Sequence, residues 1–352
     1  MVALPHAGEG RRPNPLHVTL LLAALLAGVS LLSLGTGAAG LPPARLLSAL
    51  VGAEPLTRAE RLVLYDIRLP RLAMGLVVGA ALAAAGALMQ GLFRNPLADP
   101  GIVGVGAGAG LGAVLAIVLG GLLPPALAAL IGGHLVPFAA FLGGWTATLI
   151  LTRVAASGGA TSIATLLLAG IALGAIAGAA TGILTYLAND QQLRDLTFWS
   201  MGSLAGASWA KIMTALPLIL PVLLLAPFLA HALNALALGE VQAAHMGIAV
   251  ERIKRLAILG TAAAAGAATA IAGGIGFIGI VVPHLLRLAT GSDHRALLPN
   301  AALLGGTLLI GADMIARTIT APAELPIGIV TASLGAPVFL WILLRRKGLS
   351  GI

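Results

Sequence analysis

Long stretches without a charged residue set the rhythm of this chain. No Asp, Glu, Lys or Arg occurs between Arg12 and Arg45, from Leu72 to Phe93, or from Pro100 to Thr152. A helix needs about 20 apolar residues to cross roughly 30 Å of hydrocarbon, so each run predicts one or two membrane spans. Read this way, spans fall near 17–35, 72–93, 102–120, 135–152, 162–187, 210–233, 256–272, 277–290, 297–315 and 326–344. The breakers "GGLLPP" and "GGHLVP" separate the third and fourth, and Gly273-Gly274 separates the seventh from the eighth. The eighth has too few apolar residues before Arg287 for a full crossing. Arg11 and Arg12 could serve as the n-region of a cleaved signal peptide, but the apolar run behind them is longer than an h-region.

Ten crossings sort the charges. Arg11, Arg12, Arg94, Arg153, Arg252, Lys254, Arg255, Arg287, Arg295, Arg345, Arg346 and Lys347 share one side, 12 of the 20 Lys and Arg. By the positive-inside rule that side is cytoplasmic, with both termini inside. Five of the remaining arginines, Arg45, Arg58, Arg61, Arg68 and Arg71, crowd the opposite side just before the second span. That is a local exception to the rule.

Composition agrees with the spans. The chain is 59% hydrophobic and 9% charged, with mean hydropathy +1.03. A soluble domain carries about 25% charged residues, so this is an all-α polytopic membrane protein. The 47 glycines suit helices that approach closely in lipid, and the short alternating segments of a transmembrane barrel are missing. The absence of cysteine excludes disulfides, thiolate metal sites and cysteine nucleophiles. Net charge +8 comes without a basic run interleaved with aromatics, so no nucleic-acid partner is expected.

The motifs narrow the function. "GIGFIG" (274–279) matches a dinucleotide fingerprint by letter, but it lies in an apolar membrane run with no βαβ context. No G-x-x-x-x-G-K-[ST] occurs, so ATP-driven transport would need its ATPase, with ATP and magnesium, on another polypeptide. Ion-coupled carriers place ionisable groups at mid-membrane. Here the acid well within a span is Asp313, with Arg317 four residues on, and the two read as a helix pair near the outer end. The seven histidines form no i, i+4 pair, so no metal site and no bound cofactor is expected. No cluster of His, Asp, Glu or Ser at one face suggests a membrane enzyme. Gly170, Gly174, Gly178 and Gly182 line one face of the fifth span, either for close helix packing or as a smooth wall beside a transport path. Two cytoplasmic loops stand out. "FRNPLADPG" is held non-helical by its prolines, and "LALGEVQAAHMGIAVERIKR" is helix-compatible after Gly239, either as a docking surface or as a solvated helix.

Taken together, "IRLPR", "GALMQGLFRNPLADPGIVGVGAGAG", "LLLAGIALG", "FWSMGSL", "LALGEVQAAHMGI", "GGIGFIGIVVPHLLRLATGSDHRALLP" and "ELPIGIVTASLGAPVFLWILL" resemble the permease subunits of bacterial ABC importers for iron siderophores, haem and cobalamin, from about 17 to 347. The resemblance implies a type II ABC importer permease fold, paired as a homodimer around one path lined by the fifth and tenth spans. It implies two cytoplasmic ATPases below and a periplasmic binding protein above. Within 236–250 it marks Gly239, Glu240, Ala243, His245, Met246 and Gly247 as the coupling helix. Asn95, Pro96 and Leu97, with Thr161 and Ser162, match the cytoplasmic gate, and Arg68, Arg71 and Arg317 match cations that receive acids of the binding protein. The segment 190–209 looks most like haem-type members, with ferric siderophore or cobalamin as the other cargoes. Arg194 there either meets haem propionates or serves its own helix, capping its end or pairing with Asp190 or Asp195.

Overall fold

The computed structural model describes residues 14–37, 44–45, 48, 55–157 and 160–349. Arg11 and Arg12 lie outside the described residues, as do the side chains of Arg345, Arg346 and Lys347. The helices, in chain order, are α1 (Pro15–Gly35), α2 (Arg58–Leu62), α3 (Leu69–Leu92), α4 (Val105–Leu119), α5 (Pro125–Ile131), α6 (Leu135–Ala155), α7 (Ile163–Leu187), α8 (Asp190–Met201), α9 (Trp209–Leu225), α10 (Ala230–Leu236), α11 (Glu240–His245), α12 (Val250–Ala272), α13 (Ile278–Thr290), α14 (His294–Thr318) and α15 (Ile327–Leu349). Among the described residues the strands are one short antiparallel pair, β1 (Ala156–Ser157) and β2 (Ala160–Thr161). A wide π-helical turn, Val63–Arg68, joins α2 to α3.

Eight helical segments are long and apolar enough to cross a membrane, with α2–α3, α5–α6 and α9–α10 each counted as one. Two shorter apolar helices are α13 and the Ile327–Trp341 part of α15. The bundle is organised around α3, whose run of small and apolar residues is apolar on every side and so belongs in the middle. Met74, Val78, Leu88 and Met89 of α3 are at most 1% exposed. Around it stand α1, α9, α12, α13 and α14, while α4 and α6 pair with each other and lean on α12 and α7.

Three local departures from the expected spans have physical causes. The seventh helix starts at Val250, six residues earlier than its apolar run, because "VERIKR" extends the helix beyond the hydrocarbon and pairs its own charges. The sixth expected span is two helices, since Pro227 interrupts it at the 3-10 turn Ala226–Leu229. The eighth is a half-helix. Gly279 lies against Gly86, six residues before α3 ends, which is about 9 Å along the helix. The rest of that crossing is the non-helical segment 273–277.

Extended backbone inside a membrane must find partners within the protein. Here the breaks satisfy one another: the Gly274 amide donates to the Trp199 carbonyl (3.2 Å), the Ser203 amide to the Ala272 carbonyl (2.8 Å) and the Ile327 amide to the Gly202 carbonyl (3.1 Å). Gly273 takes φ +75° in this crossing, with its Cα pressed on the Trp199 carbonyl, so no other residue fits without strain.

A Cβ on Gly86 would run into the Gly279 carbonyl oxygen, whereas one on Gly174 meets nothing within 4 Å. In detergent, Gly86→Ala should lower thermal stability by about 1–3 kcal/mol. Gly174→Ala should leave it unchanged or raise it slightly, because alanine is the better helix former.

Candidate functional site

At the rim where α3 begins, three arginines tie helix ends together. Arg71 Nε bonds both Asp313 carboxylate oxygens at 3.0 Å, its Nη2 reaches Oδ1 at 2.8 Å, and its Nη1 reaches Glu324 Oε1 at 2.7 Å. Arg317 Nη2 donates to the Ser33 carbonyl (2.8 Å) and hydroxyl (2.7 Å) and to Thr36 Oγ1 (3.1 Å). The Arg317 Nε lies 3.5 Å from Asp313 Oδ2, the helix pair expected from the sequence. Arg68 donates to the Leu34 carbonyl. All three guanidiniums are buried, with Arg68 at 4%, Arg71 at 8% and Arg317 at 8% exposure. The sequence suggests open cations, whereas the structure engages them between α1, α3 and α14. Arg58 and Arg61 are the exposed cations before α3. Among the described residues, Asp313 and Glu324 are the carboxylates bonded to this cluster.

The opposite rim holds the expected coupling and gate residues. Gly239, at φ +122°, turns the chain from α10 into α11, and Gly247, at φ +82°, turns it out again toward α12. Ala243 is buried and pins α11 to the bundle, while His245 and Met246 face outward. The exposed apolar side chains Leu238, Val241 and Met246 cluster on this short segment, where a helix meeting only water would carry polar ones.

Beneath α11 sits Lys254, 3% exposed. Its ammonium donates to Glu240 Oε2 (2.7 Å), Glu251 Oε1 (3.0 Å) and the Thr161 carbonyl (3.0 Å). The second Glu251 oxygen accepts the Thr161 amide at 3.0 Å. One buried cation therefore joins α11, the first turn of α12 and strand β2. Ser162 follows as the N-cap of α7, its hydroxyl accepting the Thr165 amide at 3.2 Å.

The other gate stretch is shaped by local bonds. Asn95 Oδ1 accepts the Leu97 amide (3.0 Å), and Asp99 Oδ1 accepts the Gly101 amide (2.7 Å), so Pro96 sits in a rigid two-step turn. This loop reaches α7, where the Ile102 carbonyl lies against Gly170. The other three glycines of the stripe, Gly174, Gly178 and Gly182, have nothing within 4 Å of a built Cβ. Among the described residues, close packing therefore accounts for Gly170 alone. Along α7 only Leu166 and Ala177 are buried.

Between the rims, where the helix breaks meet, lies a cavity of about 470 Å³ lined by Asp99, Gly106, Trp199, Ser200, Thr269 and Phe277 among others. Burial pushes the Asp99 carboxyl above its ordinary pKa, and its bond from the Gly101 amide opposes this. Arg194 is exposed on α8 and donates to Gln191 Oε1 at 2.9 Å, so it is bonded within its own helix.

Lys254, Glu251 and Asp99 have no role in the sequence reading. Glu251 and Lys254 stand at i, i+3 spacing in "ERIKR", a visible signal for a helix pair, but Glu240 lies fourteen residues away and only the fold brings it near.

Comparison with known proteins agrees with this architecture. Residues 24–345 match the model of the FecCD transport family. The chain is 50% identical over 282 residues to the hemin transport system permease protein HmuU of Yersinia pestis, covering 80% of this chain and 83% of that one. It is 43% identical over 350 residues to the vitamin B12 import system permease protein BtuC of Klebsiella pneumoniae subsp. pneumoniae, covering 99% and 98%. A solved structure of a metal-chelate type ABC transporter in an inward-facing conformation superposes with TM-score 0.82 at 30% identity, over 94% of this chain and 99% of that one. The chain thus belongs to the FecCD transport family, as a permease of an ABC importer.

Proposed function

We propose that two copies of this chain form the haem path of an ATP-driven importer in a bacterial inner membrane, with both termini cytoplasmic. A periplasmic binding protein delivers haem over the Arg71 rim, and two ATP-binding subunits dock on the opposite rim and supply ATP and magnesium. The observation that carries this reading is the Lys254 cluster beneath α11. A helix that presents apolar side chains outward is bonded through one buried ammonium to the turn that starts α7. A push on α11 is thereby handed to α7, whose open glycine face, with α15, lines the path against the second copy. Conformational coupling requires such a shared element that both sites bias. Haem is favoured as cargo by the 50% identity to the hemin permease. Cobalamin is the second reading, because the likeness to the vitamin B12 permease runs over 99% of this chain. Ferric siderophore remains the third cargo of the family resemblance.

Proteoliposomes holding the chain with its ATPase and binding protein should take up haem only with ATP present. Equal or faster uptake of cobalamin or ferric siderophore would reassign the cargo, and uptake that needs an ion gradient but no ATP would replace the importer with an ion-coupled secondary transporter. Replacing Lys254 by Met strands two carboxylates, and a charge-assisted bond is worth about 1.5–3 kcal/mol. Transport per ATP hydrolysed should drop roughly tenfold or more in K254M, by that energy, and K254R should restore most of it. A normal transport-to-ATPase ratio in K254M discards the relay.

Docking at the Arg71 rim needs a variant that still folds, because removing one partner of a buried pair costs about 3–5 kcal/mol. R71Q/D313N removes the pair together. This pair of substitutions leaves the net rim charge unchanged, so loaded binding protein should dock about fivefold more weakly only through the loss of one Arg71 ion pair with it, roughly 1 kcal/mol. Undiminished docking would leave Arg71 a purely structural residue.

A further inference from the structure

On the Lys254 rim, a second cavity of about 390 Å³ opens between the end of α6 and the start of α12. Two cations stand in its wall, Arg153 from the last turn of α6 and Arg255 from α12. Both are exposed, and among the described residues neither makes an ion pair or a hydrogen bond. The floor is apolar, made by Leu149, Ile258 and Leu259. Glu251 also lines the cavity, but its oxygens are bonded to Lys254 and the Thr161 amide.

We propose that this cavity holds the headgroup of one anionic phospholipid from the cytoplasmic leaflet. The two guanidiniums present charged donors that suit a phosphate, and basic pockets between membrane helices on this side favour such headgroups. The tail has a track. Phe138, Leu142, Ile150 and Val154 are exposed along the i, i+4 ridge of α6, with the exposed Thr146 between them, and this ridge winds away from the Arg153 end of the helix into the hydrocarbon. Arg153 is thus the polar end of an apolar stripe, and Arg255 faces it from the next helix. The occupant must combine an anionic head with an apolar tail. The proposal rests on the membrane placement above and is independent of cargo and of ATPase coupling.

Native mass spectrometry of the full chain in neutral detergent tests it with phosphatidylglycerol, phosphatidylcholine and inorganic phosphate as probes. Wild type should retain one phosphatidylglycerol in preference to phosphatidylcholine. R153Q/R255Q should bind phosphatidylglycerol roughly 30-fold more weakly, each cation near the surface being worth about fivefold. R153K/R255K should recover most of that loss, and R295Q, a substitution on α14 away from the cavity, should change nothing. Equal melting of wild type and R153Q/R255Q in lipid-free detergent would separate lost binding from lost folding. Three outcomes overturn the assignment: undiminished phosphatidylglycerol in R153Q/R255Q, equal retention of phosphatidylcholine, or inorganic phosphate binding as tightly as the lipid. Because the readout is lipid retention, a wrong cargo or coupling assignment leaves the result untouched.

Discussion

An amide or carbonyl left unpaired in hydrocarbon costs several kcal/mol, and this chain interrupts its helices inside the bundle regardless. The rest of the architecture follows from how that cost is met. The breaks after α8, after α12 and before α15 exchange backbone bonds where they meet. Such pairing demands backbone contact, which only residues without a side chain permit at the closest points. Gly273 and Gly202 meet that demand with positive φ. The same meeting of breaks leaves the central cavity, since helices that stop short of each other cannot fill the space a continuous helix would.

The two rims use buried charge differently. At the Arg71 rim, guanidiniums join three helix ends to one another. At the other, a single ammonium bridges segments of quite different length: a six-residue helix, a two-residue strand pair and a long membrane helix. The first arrangement locks. The second links three separate segments of the chain through one side chain.

Much of this was legible in the letters. Uncharged runs located the membrane helices, and glycine pairs and prolines located their ends. Asp313 and Arg317, four residues apart, announced their contact. What stayed hidden depended on distance in sequence. Arg68, Arg71 and Arg317 look like misplaced surface cations until the ends of α1 and α14 close over them. Lys254 reads as one more cytoplasmic charge until Glu240 and Thr161 arrive beside it. Charge also misplaced a boundary, because a polar first turn of α12 looks like loop to any rule that counts apolar residues. The glycine stripe on α7 left packing and path both open, and the described residues place no neighbour at Gly174, Gly178 or Gly182.

The shared bonds at the helix breaks carry a mechanical consequence. α8, α13 and α15 are fastened at one knot, so tilting any of them drags the others or tears amides from carbonyls in a medium that offers no replacement. Any movement that keeps these bonds would carry the knotted group as one stiff block. The glycines at the knot serve as its weld, not as its hinge.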